Sequence, residues 1–178
     1  MYSIETSRLI LRPWKESDTR PFIEMNLDKK VMEFFPSILT EEESISMISR
    51  IKIFFAEHHF GLWAAELKQT KEFIGFTGLS VPRFQTDFTP CVEVGWRLAY
   101  KHWGHGYAPE AAIACFDYGF NILKLKEIMS FTSILNTRSI SVMKKTGMNF
   151  IKNFEHPCIE EGNRLKTHAL FVKESEKQ

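Results

Sequence analysis

The chain has 178 residues, enough for one domain with a substantial buried core, and nothing in its length calls for two. Lys and Arg number 23 against 22 Asp and Glu, so no global field draws the chain to nucleic acid or to an anionic membrane. Any anion binding must therefore be local. The three cysteines, Cys91, Cys115 and Cys158, are odd in number, widely spaced and set among apolar residues, which suits reduced core thiols better than disulfides or a metal knuckle. The opening "MYSIETSRLI" lacks a basic start followed by an apolar run, and no stretch approaches the length of a membrane span, so a cytoplasmic location is expected.

In chain order, "RLILRPW" (8–14) reads as a short strand, and "SDTRPFIEM" after it carries the Ser/Asp punctuation of a helix start. Thr40 followed by Glu43 is a capping box, and Ile45, Ile48, Ile51 and Phe55 continue it as one apolar helical face. The polar turn "KQTKE" joins strands at 61–67 and 73–80 into a hairpin. A strand over "CVEVGWRL" (91–98), a helix from Ala108 to about Leu123 and a strand over "EIMSFTSI" (127–134) form a strand, helix, strand unit, whose two strands should be parallel with a right-handed crossover. A short helix between Asn136 and Gly147 follows, and strands at 149–156 and 167–173 close the chain. The expected fold is a mixed α/β sheet in a single domain over 1–178, with its core at about 7–173.

The stretch "WGHGYAPEA" (103–111) lies between the strand ending at Leu98 and the long helix. A helix N-terminus leaves its first N–H groups unpaired and carries partial positive charge, so glycines there let a phosphate reach bare backbone. Pro109 has no N–H to leave unused, and its fixed φ suits a first helical turn. Gly104, His105, Gly106, Tyr107 and Ala108 are thus a candidate anion cradle, with Lys101, His102, Lys144 and Lys145 as candidate positive neighbours. A tight turn without a ligand would use the same glycines. A Walker loop is excluded because no Gly-Lys-Ser/Thr follows them, and a dinucleotide fingerprint fails at Pro109, where a third glycine is needed.

"VEVGWRLAYKHWGHGYAPEAAIACFDYGF" and "ILNTRSISVMKKTGM" resemble the acetyl-CoA motif and the following Asn-x-x-Ser motif of GNAT N-acetyltransferases. With "ETSRLILRPW", they are most similar to the RimJ/RimL branch, named for ribosomal-protein N-terminal acetylation. The resemblance implies a mostly antiparallel sheet whose central parallel strand pair splays to hold acetyl-CoA, with helices on both faces. The pyrophosphate would lie on residues 104–108 and the pantetheine arm against backbone near Trp96 and Leu98. Trp103 stands where the wider family has Gln or Arg, a substitution usual in this branch.

Direct acyl transfer to an amine needs a base, a polarised carbonyl and a proton for the departing thiolate. By the resemblance, Glu93 is the candidate base acting through water, and Ser139 the candidate proton donor to sulfur. Asn136 is placed at the cofactor or at the helix cap. Glu93 on a solvated face and Ser139 as a cap are the structural alternatives. His168 is the second candidate base, Phe34, Phe35 and Phe84 are candidate acceptor contacts, and His58, His59, His156 and Cys158 complete no metal site. The expected partner is an amine acceptor, either a protein N-terminus or a small polyamine or amino sugar, with no metal, nucleic acid or membrane. A homodimer and a non-catalytic acyl-CoA-binding module stay open.

Overall fold

The computed structural model describes residues 3–175. Eight strands form one sheet: β1 (Ile4–Glu5), β2 (Leu9–Arg12), β3 (Leu62–Leu67), β4 (Phe73–Ser80), β5 (Glu93–Leu98), β6 (Glu127–Ser133), β7 (Asn149–Glu155) and β8 (Thr167–Glu174). Their spatial order is β1-β2-β3-β4-β5-β6-β8-β7. Every neighbouring pair is antiparallel except β5 and β6, which run parallel. The helices are α1 (Thr19–Leu27), α2 (Glu41–His58), α3 (Tyr107–Asn121) and α4 (Thr137–Lys145).

Local chemistry accounts for the helix ends. Thr40 accepts from the Glu43 N–H while the Glu43 carboxylate accepts from the Thr40 N–H, closing the capping box that starts α2. Ser44, Ile48, Ile51 and Phe55 form the buried face of α2, but Ile45 is exposed, because it stands one position round the helix from Ser44 and off that stripe. In α3 the small residues Ala111, Ala112, Cys115 and Gly119 are buried and let the helix lie close on the sheet. Leu9, Leu11, Trp63, Ile74, Leu79 and Ile128 are fully buried beneath the helices.

One polar cluster is buried with them. Arg12 makes a bidentate pair with Asp18 at 2.7 and 2.8 Å and reaches Glu66 at 2.6 Å, while Lys15 closes the group on Glu66 at 2.9 Å. Every charge there has an opposite partner. Burial opposes ionisation of Glu66, yet the hydrogen bonds from Lys15 and Arg12 outweigh it and hold its pKa below the ordinary carboxylate value.

The two sheet faces are distinct. On β4, Phe76 meets Phe22 of α1, and on the opposite face Thr77 lies 3.9 Å from the Cys115 sulfur of α3. Strand pairing sets Ser80 opposite Glu93, Gly78 opposite Gly95 and Phe76 opposite Arg97, so Glu93, Gly95 and Arg97 share the α1 face. The cysteines differ from the sequence expectation. Cys115 is core and burial pushes its thiol up to about 12, whereas Cys158 is exposed, because it lies in the β7–β8 loop and not in an element.

Candidate active site

The parallel pair is joined at a single register position, Glu93 opposite Met129. The Met129 N–H donates to Val92 O, and the next link is a side chain, Ser130 Oγ donating to Val94 O at 3.0 Å. Beyond Val94 the two strands part. Backbone groups of alternate residues face the same edge, so those of Trp96 and Leu98 turn toward the gap that β6 has left. Leu98 O accepts one bond there from the Trp103 indole at 2.8 Å. A cavity of about 890 Å³ fills the gap and extends beneath the loop 28–40, where Val31, Phe34, Phe35 and Pro36 line it.

At one end of this cavity is the turn into α3. Gly104 and Gly106 both have φ of +80°, the left-handed region that a glycine enters without cost, and a Cβ at Gly104 would meet nothing within 4 Å. The helix begins at Tyr107, one residue before the sequence expectation, with Pro109 inside its first turn. Among the described residues, the N–H groups of Gly104, His105, Gly106, Tyr107 and Ala108 have no hydrogen-bond partner, and the first helical bond runs from Glu110 N–H to Gly106 O. These five donors form a bare cradle.

The cradle is pinned from far along the chain. Glu110 accepts from Thr6 Oγ1 at 2.6 Å, Ser7 Oγ at 3.0 Å, the Arg8 N–H at 2.8 Å and Arg8 Nε at 2.6 Å. Arg8 also donates to His105 O at 2.8 Å and lies over the Tyr107 ring. Burial disfavours the Glu110 carboxylate, but these bonds prevail and lower its pKa. Lys101 turns away and pairs with Glu72 at 2.5 Å, whereas His102, 3.4 Å from the same carboxylate, lines the cavity with its ring centre 6.4 Å from that of Tyr107. Lys145 lines the cavity.

The start of α4 faces the cradle. Asn136 caps it, accepting from the Ser139 N–H at 3.1 Å and donating to Thr132 Oγ1 at 3.1 Å, so both ends of its amide are engaged within the protein. Ser139 lines the cavity, and its hydroxyl has no partner among the described residues. Arg138 pairs with Glu33 at 2.5 Å and lies 4.8 Å from the Trp103 ring centre, fastening the loop 28–40 over the gap.

At the other end, Glu93 opens onto the cavity and accepts from Ser80 Oγ at 2.9 Å. Burial raises its pKa to about 7, with the Ser80 bond opposing that rise. A carboxyl so placed loses and regains a proton near neutral pH, as a general base must. His168 and His156 also line the cavity, with ring centres 4.8 Å apart. Burial takes His168 down to about 4, leaving it neutral at physiological pH and a weaker base than Glu93. Phe34 and Phe35 line the cavity, whereas Phe84 stands behind it, packed on Phe131 and His156. Sequence reasoning missed Glu110, Ser80 and Arg97. The Glu in "APEA" was the available signal for the first, but its partners lie about a hundred residues away.

Comparison with known proteins agrees with this geometry. The family model described as the acetyltransferase (GNAT) domain matches residues 8–149. The chain is 32% identical over 148 residues to the uncharacterized protein YkkB of Bacillus subtilis, covering 83% of this chain and 85% of that one. It is 31% identical over 176 residues to the FsC-acetyl coenzyme A-N(2)-transacetylase of Aspergillus fumigatus, covering 90% and 73%. The solved structure of a GNAT-family acetyltransferase from Bacillus anthracis superposes with a TM-score of 0.80 at 26% identity, over 97% of this chain and 98% of that one. The splayed sheet and the matched domain make this chain an acetyltransferase of the GNAT family.

Proposed function

We propose that the protein transfers an acetyl group from acetyl-CoA directly to a primary amine, in the manner of the RimJ/RimL branch and in the cytoplasm. The observation that carries this reading is the run of five unpaired N–H groups from Gly104 to Ala108, of which Gly104, Gly106, Tyr107 and Ala108 line the same cavity as Glu93. Trp96, Leu98, Trp103 and Tyr107 complete the donor side of this site, His105 backs it with its ring stacked on Tyr107, and Asn136 holds α4 in place beside it. Phosphate oxygens suit unpaired N–H groups at a helix start, and a pantetheine amide suits the free edge of β5.

Acetyl-CoA supplies an activated acyl carbon and a thiolate leaving group. Glu93 takes a proton from the acceptor ammonium through a water, freeing the nitrogen lone pair. The new C–N bond forms as the C–S bond breaks. The second proton lost by nitrogen is balanced at sulfur by way of the Ser139 hydroxyl, which gives one and regains one. A module that only binds acyl-CoA would need neither group facing the cavity.

An α-amine, with a reference pKa of about 7.7 to 8.0, needs less help from Glu93 than a lysine at about 10.4, so the first reading is a protein N-terminus. The second is a small amine, favoured by the likeness to the Aspergillus N(2)-transacetylase. Thiol release from acetyl-CoA across peptides and small amines tests both. Release with at least one amine class is expected, and release with none refutes the transferase reading.

A further inference from the structure

Arg97 on β5 is 9% exposed and lines the acceptor side of the cavity. Its Nη1 donates to Asn26 Oδ1 at 2.7 Å, and its guanidinium lies 4.1 Å from the Phe35 ring centre. The Nε is buried without a hydrogen-bond partner, and no carboxylate among the described residues forms an ion pair with this side chain. Burial lowers the guanidinium to about 10, which leaves it charged at neutral pH. A buried cation without an anion carries an uncompensated desolvation cost. Among the described residues lining the cavity, Glu93 is the one carboxylate, against Arg97, Arg138 and Lys145.

Position narrows what would compensate it. Glu93, Gly95 and Arg97 follow one another on one face of β5, and a Cβ at Gly95 would meet nothing within 4 Å, so open space lies between the base and the cation. Four residues of strand separate their backbones by about 13 Å. An acceptor bridging them carries its negative group several bonds from its amine.

We propose that Arg97 receives a carboxylate carried by the acceptor, so that the enzyme selects amines bearing an anionic group over neutral amines and polyamines. This specificity rests on the acetyl-transfer reading. A planar guanidinium matches a carboxylate in geometry as well as charge. Two sources supply that chemistry, an ω-amino acid or a peptide N-terminus followed by an acidic residue.

The test measures kcat/KM for matched pairs: β-alanine and 6-aminohexanoate against their amides, and a peptide with Asp at its second position against the same peptide with Asn. Spermidine is the cationic comparison. In at least one arm the wild type should prefer the acid over the amide by about tenfold or more. Arg97→Met should bring that ratio close to one, and Arg97→Lys should keep part of it, while the CoA dissociation constant changes little in either. Because the ratio is taken within one variant, a general loss of activity does not imitate the effect. Equal use of acid and amide by the wild type, a preference that survives Arg97→Met, or a large loss of CoA affinity in that variant would each overturn the assignment. Turnover of no amine would defeat the transferase reading itself, a result distinct from equal turnover of acids and amides.

Discussion

Two regions of one sheet bury charge in opposite ways. At the β2–β3 corner, Arg12, Asp18, Glu66 and Lys15 form a closed set in which each cation has an anion within 2.9 Å. Around β5, Glu93 has one neutral hydrogen bond from Ser80, Arg97 has one from its guanidinium to Asn26, and five backbone N–H groups have none. The first arrangement is scaffold, since nothing is left over for a ligand. The second keeps its groups unmatched, with Glu93 pushed up to about 7 by burial whereas Glu66 is held down by its partners. Unmatched buried charge is costly, and it persists where a ligand or a reaction uses it.

The sharpest way to break the comparison is to unpair the scaffold. Arg12→Met leaves Asp18 without its bidentate partner and Glu66 with Lys15 alone, so denaturant melts at neutral pH should show a loss of about 3 to 5 kcal/mol. The folded pKa of Glu66 lies below its unfolded value, so its contribution is present above the unfolded value and fades as pH falls through the folded one. The gap between variant and wild type should accordingly narrow in acid. A gap independent of pH would deny that the carboxylates are what Arg12 serves.

A smaller effect on folding, but a selective one on binding, is expected at the cradle. Gly106→Val puts a branched side chain at φ of +80°, costing about 1 to 2 kcal/mol of stability, and crowds the phosphate approach as well. Calorimetric CoA affinity should fall about a hundredfold, roughly 2.7 kcal/mol, exceeding the stability loss. Equal losses in both measurements would make the glycines a turn and nothing more.

How far this arrangement was legible in the sequence depends on the range of each contact. The capping box of α2 and the glycine turn before α3 are local, so Thr40, Glu43, Gly104 and Gly106 announced themselves by spacing alone. The parallel β5/β6 pair followed from the intervening helix. Glu93 was reachable through the family motif, but its Ser80 partner comes from a neighbouring strand and needed the β4–β5 register. Arg97 sits in an apolar strand, and only the docking of α1, which brings Asn26 to it, shows that the charge is buried. Two-residue β1 carries too little pattern to be found, yet the turn after it supplies the three residues that fix Glu110. Asn136, placed at the cofactor or the cap from sequence, caps α4 with its amide oxygen, ties its amide nitrogen to Thr132 and lines the cavity as well.

The central claim, that Glu93 is unmatched because it moves a proton, is tested most directly by the pH dependence of kcat/KM with an accepted α-amine. Glu93 must be ionised to act, so the wild-type profile should carry a rising limb near pH 7, where this carboxyl loses its proton. Glu93→Gln should lose that limb, lie about 10²- to 10⁴-fold below wild type just above pH 7, and recover partly as the amine deprotonates unaided at higher pH, with CoA affinity unchanged. Superimposable wild-type and Glu93→Gln profiles across the whole pH range would contradict the claim and leave Glu93 as a costly structural carboxylate.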